Sequence, residues 1–137
     1  MEFRIQHTDQ LKDVAINIIP LFRQHKILLL FGQMGAGKTT LVSEIVKQLG
    51  SEDHVSSPTF SIVNEYQYSG GKIFHFDLFR LKNKEELLSI GWEEYLYSGE
   101  ICIIEWPEIA GQFPDDIPCK EVHIEVENND RIFKINL

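Results

Sequence analysis

Residues Leu28 to Leu41 read L-L-L-F-G-Q-M-G-A-G-K-T-T-L, and within them Gly32, Gly37, Lys38 and Thr39 complete the spacing G-x-x-x-x-G-K-[ST]. That spacing has a physical purpose. Gly32, Gly35, Gly37 and the small Ala36 let the backbone bend so that successive N–H groups point inward around a phosphate, where larger side chains would obstruct them. A helix starting at the end of the loop adds its positive N-terminus. Lys38 brings a charge for the outer phosphates, and Thr39 a hydroxyl oxygen for magnesium, a hard cation that prefers oxygen. The run Lys26-Ile-Leu-Leu-Leu-Phe31 reads as a buried strand entering the loop, and Leu41, Ile45, Val46 and Leu49 give the helix leaving it an apolar face. A strand, a glycine-rich loop and a helix in that order are the phosphate-binding unit of a nucleoside-triphosphatase.

The chain has 137 residues, enough for a real core, and is read as a single domain over residues 1–137. Its formal net charge is −8, from 13 Lys and Arg against 21 Asp and Glu, with a pI near 5.0. Little basic surface is left to neutralise a nucleic acid backbone, so no direct nucleic acid contact is expected. Cys102 and Cys119 lack C-x-x-C spacing, which argues against a disulfide framework or a zinc site and for reduced thiols. No apolar run reaches membrane-spanning length, and the N-terminus M-E-F-R-I-Q-H has no signal core, so no membrane is expected and the cytoplasm is the expected location.

Taken in order, Phe3 and Ile5 alternate with polar residues as in a short strand, and Thr8 is placed to cap a helix carrying Leu11, Val14, Ala15, Ile18, Ile19 and Phe22. Pro20 should kink or shorten that helix. The helix after the phosphate loop should run to about Leu49, with Gly50 just beyond it. His54 to Thr59 reads as a loop, and Pro58 biases Ser57 toward extended geometry. Phe60, Ile62, Asn64, Tyr66 and Tyr68 share one face of a strand that Ser69-Gly70-Gly71 turns back on Lys72 to Phe76 as a hairpin. Asn83 with Glu86 marks a helix start, Gly91 its end, and a second short helix is placed over Trp92 to Tyr97. Ile101-Cys-Ile-Ile104 reads as a central strand buried on both faces. Gly111 to Pro118 is loop, and Val122 to Ile135 supplies a closing pair of strands around Asn128-Asn129-Asp130.

In an open sheet of parallel strands, ligands sit beyond the carboxyl ends. Glu105 closes the Ile101–Ile104 run as Phe31 closes the strand before the phosphate loop, so a parallel neighbour would put its carboxylate near the phosphates and magnesium, the alternative being an acid that simply reaches solvent at a strand end. Asp77 is a second acid at a strand end, able to bind metal, orient an attacking water, or simply cap a turn. Ser57-Pro58-Thr59 lies where related triphosphatases keep a switch touching the γ-phosphate, though it also suits a plain turn. Trp106 fits a pocket wall, a partner contact or core packing, and His75 fits a hydrogen-bonded structural histidine better than a base.

Gly32 to Thr40, Ser57-Pro-Thr-Phe60, His75-Phe-Asp-Leu-Phe-Arg-Leu81 and Ile104-Glu-Trp-Pro-Glu108 occur in the order and spacing of the TsaE (YjeE) family, which the chain resembles from Thr8 through Arg131. The resemblance implies a P-loop NTPase-like three-layer α/β fold with a mixed parallel and antiparallel central sheet. It implies ATP and Mg2+ as ligands, weak hydrolysis by the isolated protein, and docking on the TsaD-TsaB transferase complex of bacterial tRNA threonylcarbamoyladenosine synthesis, where hydrolysis resets the complex. Carried over by position, Gly35, Ala36, Gly37 and Lys38 hold phosphates, Thr39 and Glu105 hold magnesium, and Thr40 approaches the α-phosphate. Thr59 and Asp77 serve the γ-phosphate, and Thr8, Trp106, Glu108 and Arg131 lie near the nucleotide. The family's usual Asp-Leu is replaced by Gln33-Met34, which spares the glycines, and its usual Tyr by Phe79, which removes a phenolic hydroxyl.

The expected activity is therefore a slow Mg-dependent ATPase that needs its partners, since Arg4, Arg23, Arg80 and Arg131 form no cluster able to act as an in-built finger. A small-molecule kinase is the rival enzyme, but Gly111 to Pro118 carries no basic residue for a lid. A guanine-nucleotide switch lacks its Asn-Lys-x-Asp, because Asn83-Lys84 is followed by Glu85-Glu86. A nucleotide-dependent interaction module without turnover is the remaining alternative.

Overall fold

Apolar runs too short for helices become the centre of a sheet. The computed structural model describes residues 1–56, 62–111 and 113–136. Among them lie strands β1 (Glu2–Ile5), β2 (Ile27–Gly32), β3 (Val63–Tyr68), β4 (Gly71–Asp77), β5 (Ile101–Glu105), β6 (Cys119–Glu127) and β7 (Asp130–Ile135), and helices α1 (Leu11–Ile18), α2 (Lys38–Gln48), α3 (Glu85–Ser89) and α4 (Trp92–Leu96). The described strands form one sheet in the order β1-β7-β6-β2-β5-β4-β3. Pairs β6/β2, β2/β5 and β5/β4 are parallel, while β1/β7, β7/β6 and β4/β3 are antiparallel. The sheet is thus mixed, with a parallel centre and antiparallel flanks.

Central strands bury both faces, and alternation divides their side chains between two layers. Leu28, Leu30, Ile73, Ile101 and Ile103 pack with the apolar sides of α1 and α2, including Val14, Ile18, Leu41 and Ile45. Ile27, Leu29, Phe74, Phe76, Cys102 and Ile104 pack on the other face with Leu87, Trp92 and Leu96 of α3 and α4. Two helical layers around one sheet follow directly from the unbroken apolar sequence of β2 and β5.

Several local expectations hold. Helix α1 stops at Ile18 and continues as a 3-10 turn over Ile19–Arg23, because Pro20 removes a backbone donor. Helix α2 ends at Gln48 with Gly50 at φ 88°, and Asn83 Oδ1 accepts from the Glu86 amide at 3.2 Å ahead of α3. Two differ. Thr8 does not cap the first helix: a 3-10 turn spans Thr8–Gln10, and Gln10 Oε1 reaches back to accept from the amides of Gln6 and His7 at 2.8 and 3.0 Å. The longer side chain does the capping from inside the turn. Strand β3 begins at Val63, later than expected, and Phe60 lies outside the described residues, as do Ser57, Pro58 and Thr59.

Candidate active site

The parallel register gathers the acidic strand ends. Leu30 of β2 pairs with Glu105 of β5, and Glu105 pairs with Asp77 of β4, so both carboxylates end up beside the loop that leaves β2. The chain closes this loop tightly. A Cβ on Gly32 would sit 3.1 Å from the Ile124 carbonyl and 3.3 Å from Ala36 Cβ, and Gly37, which caps α2, holds φ 106°. Position 32 needs glycine for space and position 37 needs it for conformation.

Lys38 is 5% exposed. Its ammonium donates to the Gly32 carbonyl and, at 3.2 Å, to that of Gln33, and lies 3.8 Å from the centre of the Trp106 ring. Burial pushes its pKa down, and the negative charges of Glu105, Glu108 and Asp77 oppose that shift. Trp106 adopts a left-handed conformation with φ 58° and ψ 47°, uncommon for a bulky residue and characteristic of functional sites. This turn at the end of β5 lays its ring between Lys38 and Phe79, whose ring centre is 4.9 Å away.

Glu105 is 3% exposed and faces two side-chain donors. The Thr39 hydroxyl reaches its two oxygens at 3.1 and 2.9 Å, and His75 Nε2 lies 2.5 Å from Oε2. Asp77 Oδ1 accepts from the Phe79 amide at 3.1 Å, which caps the turn Leu78–Arg80. Asp77 therefore caps the turn and also lines a cavity with Lys38 and Glu105. Burial pushes its carboxyl above the ordinary range, against the pull of the Phe79 amide and Arg80.

These side chains line a cavity of about 400 Å³ that holds Lys38, Thr39, Thr40, Asp77, Glu105 and Trp106 together. On the other side of the loop, a cavity of about 250 Å³ is lined by Thr8, Gly35, Ala36, Gly37, Thr40 and Arg131. Arg131 Nε donates to the Ala36 carbonyl at 3.1 Å, fastening β7 to the loop. Glu108 lines a third cavity of about 680 Å³ with Trp106 and Met34. Thr59 lies outside the described residues. Sequence reasoning gave no site role to Arg80, which lines the cavity with Asp77 and Lys38, or to Ile5, Asn129 and Phe133, which line the cavity with Arg131. The signal for Arg80 was its place three residues after Asp77, where a tight turn returns it to the same edge.

The donor set suits a hard cation: a threonine hydroxyl and two neighbouring carboxylates, all oxygen. Among the described residues no group of three or more His, Cys, Asp and Glu side chains forms a metal cage. Also among the described residues, no helix is long and apolar enough to cross a membrane.

Comparison with known proteins supplies a lineage. The profile of the family described as threonylcarbamoyl adenosine biosynthesis protein TsaE matches residues 5–134. The chain is 36% identical over 133 residues to the tRNA threonylcarbamoyladenosine biosynthesis protein TsaE of Rickettsia felis, covering 96% of this chain and 77% of that protein. It is 41% identical over 98 residues to the Haemophilus influenzae protein of the same name, covering 71% of this chain and 62% of that one. The crystal structure of Bacillus subtilis YdiB superposes with a TM-score of 0.72 over 98% of this chain and 83% of that chain, at 23% identity, which shows the shared fold. A seven-stranded mixed sheet, the glycine-rich loop after β2 and a family match over nearly the whole length lead to one conclusion: the chain belongs to the TsaE family of threonylcarbamoyl adenosine biosynthesis proteins.

Proposed function

We propose that this protein binds Mg-ATP and hydrolyses it slowly, as the ATP-using subunit of tRNA threonylcarbamoyladenosine synthesis, docking on the TsaD-TsaB transferase complex to support repeated turnover. The observation that carries this reading is the convergence of Lys38, Thr39, Asp77 and Glu105 on one cavity at the carboxyl ends of β2, β4 and β5. Phosphoryl transfer needs mainly positioning and charge neutralisation, and those four side chains offer both.

Loop amides from Gly35 to Thr39 and the N-terminus of α2 receive the phosphates, and Lys38 exchanges the Gly32 and Gln33 carbonyls for phosphate oxygens. Thr39 and Glu105 would hold magnesium, which supplies charge neutralisation on the outer phosphates when bound. With its hydroxyl donating to Glu105, Thr39 would offer the cation its oxygen, which is the acceptor side of the group. Asp77 commits Oδ1 to the Phe79 amide, which fixes the carboxylate so that Oδ2 can orient a water toward the γ-phosphate. Thr8 and Arg131 flank the second cavity, on the side of the loop where the rest of the nucleotide would extend.

Arg80, exposed on the turn Leu78–Arg80, is the one arginine that lines this cavity among the described residues. Slow hydrolysis by the chain alone follows, with faster turnover once partners complete the charge around the γ-phosphate. The test is tRNA modification by purified TsaD and TsaB over several turnovers, with and without this chain. The proposal expects a single round without it and sustained turnover with it, together with partner-stimulated ATP hydrolysis. Sustained turnover in its absence would contradict the proposal.

A further inference from the structure

The phosphate loop and the strand-end carboxylates account for the cavity wall, but they leave one buried assembly unused. His75 is completely inaccessible in the middle of β4, in a layer otherwise filled by Ile73, Ile101, Ile103 and Leu30. Its Nε2 is 2.5 Å from Glu105 Oε2, and its Nδ1 is 3.1 Å from the Tyr66 hydroxyl of β3. Tyr66 is itself buried and lies 3.3 Å from the Ser56 carbonyl, which also accepts from Asn64 Nδ2 at 3.1 Å. Hydrogen-bond distances therefore link Ser56 through Tyr66 and His75 to Glu105, and from there to Thr39 at the start of α2, with the single Tyr66 hydroxyl proton available to either the Ser56 carbonyl or His75 Nδ1.

A polar chain through an apolar layer costs desolvation at every group, so a core designed only for packing would place aliphatic residues there. Geometry assigns the protons. An ionised carboxylate only accepts, so His75 carries hydrogen on Nε2 and donates it to Glu105. That donation occupies one lone pair of Oε2 and stops the carboxylate rotating, which leaves the face toward Thr39 in a fixed orientation. Tyr66 in turn fixes the ring: with Nδ1 held at the hydroxyl, the imidazole cannot flip and lose its contact with Glu105.

We propose that His75 and Tyr66 are positioning residues that hold the Glu105 carboxylate in the orientation needed to share a divalent cation with Thr39. This rests on the reading of Thr39 and Glu105 as the metal end of a nucleotide site. Neither His75 nor Tyr66 lines the cavity of Lys38 and Asp77; both act through Glu105. Carboxylates that bind metals are commonly oriented by a hydrogen-bonded neighbour, and losing such a neighbour typically costs about 10–100-fold in metal affinity.

The experiment measures binding of a fluorescent ATP analogue as a function of magnesium concentration, for the wild type, Tyr66→Phe, His75→Leu and His75→Gln. His75→Leu should need about 10–100-fold more magnesium for half-maximal binding. His75→Gln, whose amide nitrogen can still donate to Glu105, should recover most of that loss. Tyr66→Phe, the mildest change, should show a smaller rise, and all variants should bind the metal-free analogue like the wild type. In parallel, proton NMR of the protein without nucleotide should show a ring N–H resonance downfield of the amide region that is absent in His75→Leu. Folded Tyr66→Phe and His75→Leu proteins with wild-type magnesium dependence would overturn the inference alone, as would absence of the resonance from the wild type. A wild type that binds no analogue at any magnesium concentration would instead overturn the nucleotide reading, and the metal role of His75 with it.

Discussion

Thr39 and Glu105 stand 66 positions apart, yet the Thr39 hydroxyl lies 3.1 and 2.9 Å from the two oxygens of the Glu105 carboxylate. The contact exists because β5 lies parallel to β2 with Glu105 opposite Leu30, two residues before the strand ends at Gly32, while α2 starts immediately beyond the loop. Sheet register thus brings the helix start and the strand end together. Glu105 accordingly anchors this contact and, on the proposed function, would serve the metal as well, and substitutions should separate the two.

Glu105→Ala leaves His75 Nε2 and the Thr39 hydroxyl without their buried acceptor, at a cost of about 1–3 kcal/mol by urea denaturation. Glu105→Gln keeps an acceptor oxygen for His75 and should lose less stability. Both should lose magnesium-dependent ATP hydrolysis. Full turnover in folded Glu105→Gln would remove this carboxylate from the mechanism.

Asp77 should carry a stability cost that depends on pH. Burial, reinforced by the negative charge of Glu105, raises its carboxyl above the ordinary range, so the folded protein holds that proton more tightly than the unfolded chain. The cost is absent below the unfolded value of about 3.9 and complete above the folded one. Asp77→Asn retains the oxygen that caps the Phe79 amide. It should therefore melt above the wild type at pH 7, with the difference vanishing below about pH 3.5, while losing hydrolysis. Equal melting temperatures at pH 7, or a gain that grows on acidification, would contradict the reading.

Trp106 should report on the phosphates. Its ring contacts the Lys38 ammonium at 3.8 Å, whereas the other tryptophan, Trp92, is buried in the core with its ring centre 5.1 Å from that of Phe113. Drawing Lys38 onto phosphate removes that cation from the ring, so Mg-ATP should change the intrinsic fluorescence. Trp106→Phe should abolish the signal yet bind Mg-ATP within about threefold, since one cation–π contact is worth about 0.5–1 kcal/mol. A fluorescence change that survives the substitution would assign the signal to Trp92.

Much of this site was legible in the chain, and the reasons are particular. The runs Ile27–Phe31 and Ile101–Ile104 are apolar at every position because both faces are buried, so their place at the sheet centre could be read from composition. Glu105 and Asp77 stood out as acids closing such runs. The cap at Thr8 misled because residue preference favours the short hydroxyl, whereas Gln10, from inside the turn, reaches back to the amides of Gln6 and His7 ahead of it. Contacts that depend on register between distant strands were not legible: Tyr66 with His75, His75 with Glu105, and Arg131 with Ala36, which lie 9, 30 and 95 positions apart. Each partner looked ordinary in its own segment, and only the pairing of strands gave it a neighbour.

The most direct measurement is calorimetric titration of Mg-ATP into the wild-type protein and into Lys38→Ala, with melting temperatures to confirm that both are folded. The account predicts one site per chain in the wild type, and weakening on the order of 10–100-fold when the buried ammonium is removed, the size of a charged hydrogen bond to phosphate. No binding by the wild type, or equal binding by the two proteins, would contradict it.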